Sequence, residues 1–74
     1  MIVLRNMFED EVNMTSLHDV KYLVVAIELP TGATELIINT TNIPSKIDYY
    51  MNAYDENFRL KANPTIQIVD FMLT

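Results

Sequence analysis

The chain predicts an α+β fold: a three- to four-stranded antiparallel sheet with one helix packed on one face, in the order (β)ββαβ. Three observations carry this. Residues 21–29 form an apolar run rich in β-branched side chains. A Pro30-Thr31-Gly32-Ala33 turn separates that run from a second one at 34–40. Ile43, Ile47, Tyr50, Met51 and Tyr54 then follow at helical spacing, before a last strand-like segment at 65–73.

The strand over 21–29 has Leu23, Val25, Ile27 and Leu29 on one face and Tyr22, Val24, Ala26 and Glu28 on the other. Two largely apolar faces suit an interior strand. Proline presets φ for a tight turn and glycine accepts positive φ, so the pair punctuates a hairpin. Gly32 is the single glycine of the chain. Placing Leu36 and Ile38 on the Leu23/Val25/Ile27 face sets Leu29 opposite Thr34 and Ile27 opposite Leu36. Glu28 then lies beside Glu35, an unfavourable pair that a docking cation would relieve. A bulge in the turn would break this register.

The helix starts near Asn42-Ile43-Pro44, with Asn42 as a natural cap, proline in the first turn, and Ser45/Asp48 as an alternative capping box. Asn57 is placed to end it in a left-handed conformation. Asn63-Pro64 breaks the chain before the final strand, because the residue before proline avoids helical angles. There, Ile66, Ile68, Asp70 and Met72 alternate with Gln67, Val69, Phe71 and Leu73. Insertion of this strand beside residues 21–29 gives the order second hairpin strand, first hairpin strand, C-terminal strand. The helix covers the Leu23 face. Tyr22, Val24, Ala26 and Ile37 are left open, unless the N-terminal segment or a partner covers them. Residues 1–19 read as a short edge strand over 2–8 or a loosely held arm ahead of a 20–74 core, all within one domain.

Composition narrows the functional classes. A chain of 74 residues buries only roughly 60% of its unfolded surface. With 50% hydrophobic residues and no cysteine, it has neither disulfides nor thiolate metal sites, so a partner or a second copy is the natural cover for surplus apolar surface. The net charge is −5, and Arg5, Lys21, Lys46, Arg59 and Lys61 are scattered. Nucleic acid and anionic membranes want clustered cations, so a basic protein surface suits this chain better. No apolar run approaches the roughly 20 residues of a membrane-spanning helix. The opening residues lack the pattern of a secretory leader, and the expected location is cytoplasmic.

No catalytic constellation appears. His18 is the only histidine, and neither Ser16 nor Ser45 sits in a nucleophile turn. Glu9, Asp10, Glu11, His18 and Asp19 lack the spacing of a known cation loop. The pairs Glu28/Glu35 and Asp55/Glu56 lack a cleft to shift their titration. The expectation is a binding protein, not an enzyme, with no cofactor, metal or small-molecule substrate. Its candidate contact residues are Glu28, Glu35, Tyr22, Tyr49, Asp55 and Glu56. The tyrosines are included because exposed tyrosine is enriched at interfaces.

The run Tyr49-Tyr50-Met51-Asn52-Ala53-Tyr54-Asp55-Glu56, followed by Phe58-Arg59-Leu60-Lys61 and Ile66-Gln67-Ile68-Val69-Asp70, resembles small accessory proteins of phages and prophages of Gram-positive bacteria. The resemblance covers the last two-thirds of the chain and carries no catalytic motif. It implies a phage-encoded inhibitor that occludes a host protein or defence complex, as anti-CRISPR proteins do, in the host bacterial cytoplasm. The alternative is an assembly protein that forms a homo-oligomer, such as a homodimer, through its open sheet face.

Overall fold

A computed structural model describes residues 3–74. It contains helix α1 (Leu4–Met14), a single 3-10 turn (Leu17–Asp19), strands β1 (Leu23–Glu28) and β2 (Thr34–Asn39), helix α2 (Ile43–Ala53), and strands β3 (Arg59–Leu60) and β4 (Asn63–Leu73). The sheet is four-stranded, in the order β2-β1-β4-β3. β1 is antiparallel to both its neighbours, so β2 and β4 run parallel to each other as expected.

The N-terminal segment corrects the sequence reading. Residue 2 lies outside the described residues, and Leu4 to Met14 are helical rather than extended. Leu4, Phe8 and Val12 recur at i, i+4 and i+8, which is one face of a helix. Phe8 is buried, and Leu4 and Val12 pack against the core. The Phe8 ring meets Phe58 and Phe71 edge-on, at centroid distances of 5.5 and 5.0 Å. A second helix therefore shares the covered side of the sheet with α2.

Arg5 locks the two helices together. Its guanidinium donates to the carbonyls of Met51, Tyr54 and Asp55 at 2.9, 2.6 and 2.8 Å, and to Glu9 Oε1 at 3.2 Å. A helix C-terminus leaves carbonyls unpaired and carries partial negative charge, so a delocalised cation with several donors suits it. The backbone N–H of Lys61 satisfies Ala53 as well.

α2 spans the predicted stripe, with Ile43, Ile47, Tyr50 and Tyr54 buried. Asn42 occupies the cap position but makes no side-chain cap bond, having itself φ of 51°. Because the helix already starts at Ile43, Ser45 and Asp48 lie inside it and form no capping box. The left-handed residue after α2 is Phe58 (φ 60°), one beyond the Asn57 expected. The Asp55 carboxylate explains why. It accepts the backbone N–H groups of Asn57 and Arg59, both at 2.9 Å, and Phe58 N donates to Asp55 O. The turn so held drives the Phe58 ring into the core, where it is 1% exposed. Holding a bulky residue there costs on the order of 1–3 kcal/mol, offset by burying the ring.

The hairpin register also differs from the expectation. Glu28 pairs with Thr34, Ile27 with Glu35, and Ala26 with Leu36. The cause is the turn. Gly32 N donates to Leu29 O, Leu29 N donates to Ala33 O, and Gly32 has φ of 87°. That is a three-residue loop, a turn followed by a left-handed glycine bulge. Its odd length shifts the pairing by one residue and reverses the faces of β2. Leu36 and Ile38 therefore leave the core side, and Ile37 joins it.

A second bulge acts on β4. Ile68 pairs with Ile27 but Asp70 pairs with Ala26, so Val69 is skipped. Ile68, Phe71 and Leu73 therefore all serve the covered face, and the strict alternation expected for this strand fails at Val69.

Candidate functional site: the open sheet face

β1, β2 and β4 present one face that no element among the described residues covers. By register and alternation it carries Val24, Ala26 and Glu28 from β1 with Tyr22 just before it, Leu36 and Ile38 from β2, and Asp70 and Met72 from β4. Four of its apolar members are well exposed, Leu36 at 63%, Ile38 62%, Met72 54% and Tyr22 46%, while Ala26 between them is buried. Val69, pushed outward at the bulge, is also exposed. Val24, Ala26, Leu36, Asp70, Phe71 and Met72 line a shallow depression of about 300 Å³ at its centre. Scattered exposed apolar side chains are ordinary, but these share one face of one sheet.

One charge lies within this patch and one at its margin. Asp70 sits across from Ala26 on β4, its carboxylate accepting the N–H of Phe71 at 2.8 Å. Glu28 is exposed in the next row towards the turn, opposite Thr34 and Gln67. Neither has an ion-pair partner among the described residues. Two carboxylates beside apolar surface favour a partner with complementary apolar groups and a cation.

The candidate residues read from sequence are distributed as follows. Tyr22 lies on the open face, where Tyr22 N donates to Thr74 O and Thr74 N to Tyr22 O. Glu28 shares that face. Glu35 does not: it is opposite Ile27, on the helix side of the sheet, so Glu28 and Glu35 do not lie side by side as expected. Tyr49 is 54% exposed on α2 and stands edge-on to Tyr50 at 5.2 Å. It lines a hollow with Asn39, Asn42, Ser45, Lys46 and Tyr50.

Asp55 is engaged in the Phe58 turn, and its two backbone hydrogen bonds, led by that from Arg59, hold its pKa below the ordinary carboxylate value. Glu56 is exposed in the same turn. Burial raises the pKa of Tyr54, with Tyr49 and Tyr50 adding to the shift. Leu36, Ile38, Asp70 and Met72 were missed by sequence reasoning. The spacing Pro30-Thr31-Gly32, with glycine third, was the signal that could have revealed the first two.

Among the described residues, no group of three or more His, Cys, Asp and Glu side chains gathers as a metal site. His18 is exposed in the 3-10 turn. No helix among them is long and apolar enough to cross a membrane.

Fold and surface together define a class: a small α+β domain with two helices on one side of its sheet and an open apolar surface on the other. Beyond that class, the chain matches no protein-family model, no curated protein and no solved structure.

Proposed function

We propose that this chain is a small protein-binding module that docks a partner protein on its open sheet face and acts by covering that partner's surface. The observation that carries this reading is the clustering of Tyr22, Leu36, Ile38 and Met72 on one uncovered face. Asp70 within it and Glu28 at its margin call for a partner with Lys or Arg beside an apolar patch. The resemblance to phage accessory proteins points to a host bacterial protein or defence complex as that partner, met in the cytoplasm. Steric occlusion requires no catalytic group, cofactor or metal.

The assembly reading, a homo-oligomer built through this same face, is less favoured. It would bring the Asp70 carboxylates of two copies, each near the face's centre, towards one another with no cation beside them.

Affinity capture from a Gram-positive host lysate tests the proposal when wild type is compared with Met72→Arg. The expected result is one stoichiometric protein held by wild type, lost by Met72→Arg and retained by Glu56→Gln. Equal capture by wild type and Met72→Arg would remove the open face from the function.

A further inference from the structure

The two edges of the sheet are not alike. β3 forms one edge and is only two residues long. β2 forms the other, with six residues and no break in its register. Short or bulged edges resist pairing with another chain, whereas a regular uncapped edge is a template for it. β2 contains no proline, lysine or bulge.

The direction of its backbone groups can be assigned. Leu29 N bonds to Ala33 O at one end of the hairpin. Hydrogen-bonded pairs alternate along an antiparallel ladder, so Ile27/Glu35, Val25/Ile37 and Leu23/Asn39 exchange bonds within the hairpin. The mutual bonds of Tyr22 and Thr74 on the other side of β1 fit the same alternation. The N–H and C=O groups of Leu36 and Ile38 therefore point out of the sheet edge. These two residues are also the most exposed apolar side chains of the strand, at 63% and 62%.

We propose that two copies of this chain pair edge to edge through β2, antiparallel, with Ile37 facing Ile37 and Leu36 facing Ile38 across a two-fold axis normal to the sheet. An axis in that direction keeps helices on one side and open faces on the other, so only residues of equal parity can be opposed. Leu36 and Ile38 then exchange their free backbone bonds in both symmetry-related places, and their side chains form apolar cross-strand pairs.

Glu35 disfavours the registers shifted towards the turn. A shift by two residues in one direction sets it against Ile37, and a shift by four sets it against Glu35 itself. In the proposed register it faces Asn39 of the other copy. Asn39 borders the hollow that Lys46 and Tyr49 also line. Neither Glu35 nor Lys46 has an ion-pair partner among the described residues, so each copy offers the charge that the other lacks. The edge is distinct from the open face, and this pairing does not depend on the function proposed for that face.

The absence of native cysteine gives a direct test. Non-hydrogen-bonded antiparallel pairs have Cα atoms about 4.5 Å apart, within disulfide range. Under mild oxidation Ile37→Cys is expected to form a disulfide-linked dimer, while Leu36→Cys and the remote Glu56→Cys remain largely without a covalent cross-link. Sedimentation velocity at high micromolar concentration is expected to show a wild-type dimer. Glu35→Lys and Lys46→Glu should each weaken it several-fold, and the double exchange should restore it. Met72→Arg should leave it intact. Cross-linking of Ile37→Cys no greater than that of Glu56→Cys would overturn the proposal. So would a strictly monomeric wild type, failure of the double exchange to rescue, or dissociation by Met72→Arg.

Discussion

The two faces of this sheet are built from similar residues and meet different fates. On the helix side, Leu23 and Val25 are fully buried, and Phe8, Ile43, Ile47, Tyr50, Phe58 and Ile68 close over them. On the other side, Leu36, Ile38 and Met72 are each more than half exposed. Aliphatic character does not separate the faces, since Ile37 and Ile38 are adjacent and identical in chemistry. Position relative to two bulges does. The Gly32 turn and the skipped Val69 set which half of each apolar run meets the helices. The remainder is left as surface that no element among the described residues covers.

The comparison is broken most severely by removing a ring from the covered side. Phe8 touches both Phe58 and Phe71 and ties α1 to the sheet. Phe8→Ala should cost about 3–5 kcal/mol. A domain of this length has a total stability of only about 4–11 kcal/mol, so the variant should be largely or wholly unfolded near 37 °C. Urea denaturation followed by circular dichroism measures this. A loss below about 1 kcal/mol would mean that α1 is the loosely held arm suggested by the sequence and that the covered face closes without it.

That helix also shows why part of the fold was legible and part was not. α2 announced itself through a full stripe with Pro44 in its first turn, and β1 through a long β-branched run. In both cases a single periodicity fitted. Leu4, Phe8 and Val12 held an equally valid helical stripe, but the apolar opening Ile2-Val3-Leu4 invited a strand reading. Its neighbours, the acidic residues 9–11, suggested no burial. Arg5 could not be recognised as a clamp because its acceptors are backbone carbonyls about 50 residues away. The consecutive apolar runs Leu36-Ile37-Ile38 and Phe71-Met72-Leu73 fit either parity, so pattern alone could not choose their faces. Tyr22 and Glu28 were placed on the open face because β1 carries no bulge, whereas Leu36, Ile38, Asp70 and Met72 lie beyond one.

An intermediate effect is expected at the Arg5 clamp. Arg5→Ala removes donors from the carbonyls of Met51, Tyr54 and Asp55. The side chain is 17% exposed, so water can replace only part of what is lost. A cost of about 1–3 kcal/mol follows for hydrogen bonds from a charged donor, which lowers Tm by roughly 4–8 °C per kcal/mol in a domain of this size. Arg5→Lys should recover little of it, since one ammonium cannot span the same acceptors as a planar fork. Glu9→Gln, which removes only the half-exposed ion-pair partner, should shift stability by less than about 1 kcal/mol. If Glu9→Gln cost as much as Arg5→Ala, the salt bridge rather than the helix cap would be what joins α1 to α2.

The smallest effect on stability should come from the open face, and it is the most informative. Leu36→Thr and Met72→Gln each remove apolar surface that the folded monomer already leaves in water, so little transfer free energy is lost on mutation. Threonine also retains strand propensity at the edge position. Measured at low micromolar concentration, where self-association contributes least, both variants should stay within about 0.5 kcal/mol of wild type. A core residue of the same size, such as Ile68, would cost about 2–5 kcal/mol on truncation to alanine. Near-zero cost at Leu36 and Met72 would mean that their aliphatic character does not serve the fold, and that a constraint outside the folded monomer is needed to explain it. A cost above about 1.5 kcal/mol would mean instead that the open face stabilises the domain by itself, and the distinction between the two faces would fail.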